Sequence, residues 1–369
     1  MYKNEQCLVK QRRSNIELFR IITMLIIIAH HYVVNSGLLN YIPSKSYLEY
    51  KDLFLLVLGW GGKTGINCFI LITGYFMCKS NVTLLKFIKL LSEVIFYNLI
   101  IYFLFSFFGY QSITFDGLKN CIFPFFYVAN GFTSCFLIFY LFIPYINKLI
   151  NVITQKDLER LIVLCLFVYT FLPSFLEATV VFNYITWYFV IYIIASYIRL
   201  YPKEIFTNKK ITFLLFMFFL TLSIYSVISM AFNCIKMGIP VYECYFYVSD
   251  SNKVLALLTA LSAFIFFLNI DIRYSKLINM TASSIFGVLQ IHTNSDTMRT
   301  WLWQDVCKNV EVYLNAHLLT MVMHAFICIT VIFISCTFID QLRIFIIEKP
   351  YLKYLQSKLA RCASSVPNI

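Results

Sequence analysis

Apolar residues in this chain form long unbroken runs, without the strict alternation of a half-buried strand or the stripe of a soluble helix. Runs near 16–35, 55–78, 88–108, 132–150, 161–176, 184–200, 211–231, 254–270, 280–293 and 316–338 predict helices. A helix needs about 20 apolar residues to cross the hydrocarbon core of a bilayer. The pattern therefore predicts an all-α polytopic membrane protein of about ten transmembrane helices. The second run is interrupted by GWGGKTG, Gly59–Gly65, and the fifth and ninth are short. The first run is too long for a signal peptide and lacks a small-residue cleavage site, so it is expected to remain as a span. The resulting division is an N-terminal segment 1–15, a transmembrane domain 16–338 and a C-terminal tail 339–369, with no internal repeat and no sizeable soluble domain.

Composition agrees with lipid as the main solvent. The chain of 369 residues is 60% apolar and only 13% charged, where soluble domains run nearer a quarter charged. The formal charge of +12 is not a nucleic-acid signal, because the basic residues flank the apolar runs. With the N-terminus cytoplasmic, 21 of the 30 Lys and Arg fall in inside segments and eight outside, with Arg20 within a span. Both termini are thus placed in the cytoplasm, which requires an even number of spans. The 12 cysteines show no CxxC or Cys/His metal spacing, and most behave as small hydrophobes. Cys234 and Cys244 stand close enough in the sequence to bridge outside the membrane. No metal is expected.

Charge inside a span calls for a function. The first run reads ELFRIITMLIIIAHH from Glu17 to His31. Eleven residues separate Arg20 from His31, about 16 Å along the axis, and at 100° per residue they return to within about 20° of one face. Glu17 falls about 40° from His31 by the same count. Glu17, Arg20 and His31 therefore line one stripe that should face a protein interior or a wet cavity, while His30 points about 100° away. Glu17 is placed to hold Arg20 one turn away. Taken singly, Arg20 reads equally well as a snorkelling anchor and His31 as a packing hydrogen bond. A histidine can accept a proton from an attacking hydroxyl near neutral pH, and an arginine can grip a phosphate. His317 and His324, seven apart on one helix face, read as structural. Lys63, Asn67, Glu93 and Asn98 are intramembrane polar groups to which the sequence assigns no task.

ELFRIITMLIIIAHH resembles the first-helix signature of the membrane-bound acyltransferase 3 family, in which an acidic residue, an Arg and a His recur at these spacings. GINCFILITGYFM (65–77) is similar to the family's SGY segment, with Thr73 in place of Ser before Gly74 and Tyr75. FLIFYLFIPYINKLI (136–150) resembles its fourth-helix motif, and SSIFGVLQIHTN (283–294) its helix ending in His, with Leu289-Gln290 replacing Tyr-Leu. WLW (301–303) follows in register.

The resemblance implies transfer of an acetyl group from cytoplasmic acetyl-CoA to a hydroxyl of a cell-surface or lipid-linked saccharide. It implies a multi-pass protein of a bacterial cytoplasmic membrane, with acyl-CoA, a saccharide acceptor and membrane lipid as partners and no bound cofactor. By position His31 matches the catalytic His and Arg20 the motif Arg; Lys86 and Lys89, in KFIK, stand where relatives carry an Arg pair. Lys is a point charge without Arg's bidentate fork. Glu17, His30, His292 and Tyr75 are supporting candidates, Tyr75 as an oxyanion donor by its place in the motif. Covalent transfer through His31 is an alternative to general-base action. The rival classes are a transporter or flippase of a lipid-linked saccharide, suggested by the broken second helix, and a non-catalytic relative. Homo-oligomerisation is left open.

Overall fold

The computed structural model describes residues 12–42, 47–125 and 131–364, with side chains to 357. Lys3, Lys10 and Lys45 of the charge pattern lie outside these residues, as do the side chains of Lys358 and Arg361. The described residues are helical with no strand, as lipid demands of a chain that must satisfy its own backbone polar groups.

Every apolar run forms helix. The first is α1 (Ser14–Val34), followed by α2 (Tyr50–Leu58), α3 (Gly62–Met77), α4 (Leu84–Phe107), α5 (Phe115–Ile122), α6 (Phe132–Val152) and α7 (Gln155–Leu166). A π-turn, Phe167–Phe171, joins α7 to α8 (Leu172–Phe175), and then come α9 (Tyr184–Leu200), α10 (Glu204–Thr207) and α11 (Lys209–Met237). The last third comprises α12 (Val254–Asn269), α13 (Lys276–Ser283), α14 (Ile285–His292), α15 (Asp296–Thr300), α16 (Asn309–Asn315), α17 (Leu318–Arg343) and α18 (Lys349–Ser364).

Seven helical stretches among the described residues are long and apolar enough to span a membrane; α9, α12 and the α13–α14 pair are shorter. The fifth predicted run is longer than the hydropathy pattern indicates, because its helix begins in the polar turn at Gln155, capped by Thr154. The tenth continues through a π-turn into α18. Large apolar side chains such as Phe213, Phe218, Leu319, Phe326 and Phe338 are exposed on α11 and α17, a surface suited to lipid.

Helix α1 is central, packed against α3, α12, α13, α14 and α17. Its Ser14 half joins one apolar cluster with α3, α6, α9 and α12; its His31 half joins another with α2, α4, α14 and α17. Helix α3 runs antiparallel to α1, since Gly62 meets His30 and Gly65 meets Ile27 and Thr23. A Cβ at Gly62 would stand 2.3 Å from the His30 ring, so the interruption in the second run is a close helix approach. The break leaves carbonyls without helical partners, and side chains satisfy them: Tyr245 donates its hydroxyl to Leu56 O at 3.0 Å, and His30 Nδ1 donates to Gly59 O at 2.5 Å.

A second polar device ties α4 to α17. Arg343 Nε donates to Asp340 at 2.7 Å, while its terminal nitrogens reach Glu93 at 3.1 Å and Glu348 at 2.8 Å. Lys89 pairs with Glu348 at 2.7 Å, and Tyr97 donates to Asp340 at 2.7 Å. Asp340 sits against Gly287 of α14, where a Cβ would come within 2.1 Å of its carboxylate. Glu93 thus belongs to this ion cluster. Asn67 is also architectural: it donates to Ser251 O at 2.7 Å and accepts from Trp187 Nε1 at 2.9 Å. Cys234 and Cys244 are both buried free thiols, so the outer disulfide that their spacing allowed is not formed.

Candidate active site

The histidines of α1 stand at the end opposite Ser14, and tertiary packing supplies their partner. His292, the last residue of α14, is fully buried and lies 261 residues from His31 in sequence. Its Nδ1 is 2.6 Å from Val288 O, one turn back. A carbonyl only accepts, so Nδ1 carries the proton and a neutral His292 presents the lone pair of Nε2. His31 Nδ1 lies 3.1 Å from that Nε2 and donates to it. The direction of the chain is therefore set from the backbone outward, and it leaves His31 Nε2 unprotonated. This is the arrangement of an oriented general base: one imidazole edge held by a partner, the other free to accept a proton.

His31 forms part of the wall of a cavity of about 700 Å³. Helices α1, α3, α4, α5, α6, α14 and α15 contribute to its lining. The polar lining includes Lys63, Asn98, Asn294, Gln290 and Arg299. Several are held in place: Asn294 donates to Asn98 at 3.1 Å, Gln290 to Thr133 at 2.8 Å, and Lys63 to the Tyr184 hydroxyl at 2.6 Å. Lys63 also stands 3.3 Å from Asp250. A pocket of this size with several fixed polar groups can take and orient a small polar ligand.

His30 borders the same cavity, with its ring packed on Gly62 and its Nδ1 committed to Gly59 O. It holds α1 to the start of α3, its ring centre 5.6 Å from that of His31.

The remaining sequence candidates lie toward the Ser14 end. Glu17 is buried and stands 3.8 Å from Arg20, the one-turn pair that their spacing predicts. Tyr75 lies near the far end of α3, 13 residues or about 20 Å beyond the residue that meets His30. Its hydroxyl accepts from Arg199 at 2.9 Å, and the guanidinium lies 4.8 Å from its ring centre. Tyr75, the oxyanion-donor candidate by its place in the motif, thus stands at the opposite end of the bundle from the histidines, because α3 is antiparallel to α1. Arg199, one of the basic residues that flank the apolar runs, is its partner. Lys86 is exposed and donates to Asn81 O at 2.7 Å, whereas Lys89 is engaged by Glu348.

Sequence reading assigned no role to Lys63, Asn98 or Arg299. Lys63 and Asn98 were visible as polar residues within apolar runs, but the signal that they share a cavity with His31 exists only in three dimensions. Among the described residues, no cluster of three or more His, Cys, Asp or Glu is suited to a metal ion. His324 accepts from or donates to the Tyr32 hydroxyl at 2.8 Å and lies 3.4 Å from Cys328 Sγ, a packing network on the other side of α1.

A multi-pass helical membrane protein with an oriented histidine pair on a polar intramembrane cavity is the class that fold and site define. The acyltransferase 3 family model, described as an acyltransferase domain, matches residues 13–340, and the chain belongs to that family. No curated protein and no solved structure matches the chain.

Proposed function

We propose that the protein is a transmembrane O-acyltransferase that moves an acetyl group from cytoplasmic acetyl-CoA to a hydroxyl of a cell-surface or lipid-linked saccharide. The observation that carries this reading is the Val288–His292–His31 chain, which leaves Nε2 of a cavity-lining histidine unprotonated. In this reading α1 crosses from the cytoplasm at Ser14, ten core helices span the membrane, and both termini are cytoplasmic. The polyanionic donor stays at the Ser14 end, with Arg20 and Lys86 as its phosphate contacts, Lys89 exchanging from Glu348, and Arg199 nearby on α9. The thioester arm reaches along α1 to His31.

The acceptor hydroxyl gives its proton to His31 Nε2 as its oxygen attacks the thioester carbon. The imidazolium that forms is stabilised because His31 Nδ1–H now donates a charge-assisted bond to His292. Collapse of the tetrahedral intermediate breaks the C–S bond, and the departing thiolate takes the proton back from Nε2. No covalent histidine intermediate is needed when both substrates meet at one imidazole. The helix break at Gly59–Gly61 argues for this reading over transport, because Gly59 O is engaged by His30 and Gly61 O by the Gly65 N–H, while Tyr245 holds Leu56 O in the preceding turn.

The test is surface-polysaccharide O-acetylation in cells carrying wild type, His31→Ala or Arg20→Ala at equal membrane levels. The expected result is O-acetyl with wild type and its loss in both variants, by about 10²–10⁴-fold for removal of a general base. Normal acetylation by the variants would overturn the mechanism.

A further inference from the structure

Among the cavity's charged groups, Arg299 on α15 is held differently from the rest. Lys63 is tied down by Tyr184 and by Asp250. Arg299 has one carboxylate partner, Asp296, at 3.2 Å and one turn away on the same short helix. The Asp296 side chain is 96% exposed, so water competes for it and the pair adds little. Arg299 Nε is meanwhile buried and has no hydrogen-bond partner among the described residues. The Arg299 side chain as a whole is 39% exposed, so the guanidinium reaches the open part of the cavity while its Nε–H is shielded and has no acceptor, a donor that a ligand can satisfy.

Arg299 shares the cavity wall with His31, and Lys63 contributes a second cation. The ordered amides and hydroxyls between them suit sugar hydroxyls, but a neutral sugar would leave the guanidinium's fork unmatched. We infer that this cavity takes an acceptor bearing an anionic group, a carboxylate or a phosphate, and that Arg299 is the residue that grips it. The guanidinium offers parallel N–H donors matched to either anion. Gripping the anion places a neighbouring hydroxyl of the same molecule before His31 Nε2, and the loose Asp296 contact is what the incoming anion displaces. This rests on the acyltransfer reading for its purpose, but binding at Arg299 is measurable without turnover.

The experiment is calorimetric titration of the purified full-length protein with three matched probes: a neutral hexose disaccharide, the same disaccharide carrying a hexuronate, and the same carrying a phosphate monoester. It is run on wild type, His31→Ala, Arg299→Gln and Asp296→Asn. The charged probes are expected to bind wild type and His31→Ala at least about tenfold more tightly than the neutral one, since a charge-assisted pair adds to the neutral contacts. Arg299→Gln should bring all three to the neutral level. Asp296→Asn, which frees the guanidinium, should bind charged probes more tightly than wild type, a gain that misfolding cannot produce. The carboxylate and phosphate arms distinguish the two sources of anion. Equal binding of neutral and charged probes, unchanged anion binding in Arg299→Gln, or no binding of any probe would overturn the proposal. Anion-selective binding in a protein whose His31→Ala variant acetylates normally would instead uphold the site and sink the acyltransfer mechanism.

Discussion

At the scale of residues, the chemistry turns on two ring nitrogens and the direction of their hydrogen bonds. His292 touches the base and not the substrate, so it is a positioning residue: it fixes the tautomer and orientation of His31 through Nε2 while Val288 O fixes its own. His292→Ala leaves His31 able to accept a proton but free to rotate or to present the wrong nitrogen. We expect kcat to fall about 10–100-fold with the KM for acetyl-CoA little changed, in line with the loss of partners that orient an active histidine. Steady-state kinetics in membranes checks this; a change confined to KM would place His292 in donor binding. The motif tyrosine illustrates the opposite case. Its spacing from Gly65 is legible in the sequence, but its end of the bundle follows from the antiparallel packing of α1 and α3, and that packing gives its hydroxyl to Arg199.

At the scale of elements, the contact between α1 and α3 decides where the histidines point. The His30 ring occupies the space that a side chain at position 62 would need. Gly62→Ala therefore forces apart the two helices that frame the cavity, and overpacking of this kind costs about 1–3 kcal/mol. A lowered thermal midpoint in detergent, with activity lost in proportion beyond the fall in folded protein, is the expected outcome. An unchanged midpoint and full activity would mean that the close approach does not set the site. The glycine-rich break was visible as an interruption of hydropathy; its meaning as a packing seam was not, because a run of glycines equally suits an unwound ion site.

At the scale of the whole molecule, the ion cluster around Arg343 joins α4, α17 and the turn into α18, with Gly287 of α14 packed against it. α14 also ends in His292, so the cluster and the site share one short helix. Replacing Arg343 by Met leaves Glu93 and Asp340 without their buried countercharge, while Glu348 keeps only Lys89. Breaking such a network from one side costs about 3–5 kcal/mol. Loss of stable protein from membranes is the expected result, and Tm measurement on the detergent-purified variant checks it. Replacing Glu93 together with Arg343 by apolar residues should recover part of the loss. The sequence presented these residues as one intramembrane glutamate and one positive-inside arginine, 250 positions apart, with nothing to pair them.

What the amino-acid sequence determined by itself are the properties that depend on near neighbours: lipid as the solvent, helices in every apolar run, and a Glu17–Arg20–His31 stripe on one face of α1. Hydropathy and the 3.6-residue period are local, so they can be read without the fold. Which helix faces which is a matter of packing at distances the sequence does not encode residue by residue. The tertiary structure alone decided that His292 holds His31, that Tyr75 belongs to the other end, and that Arg299 and Lys63 share the histidine's cavity. Those placements join side chains far apart in the sequence, His292 261 residues from His31 and Arg199 124 from Tyr75, brought together because buried polar groups must find partners wherever the bundle supplies them.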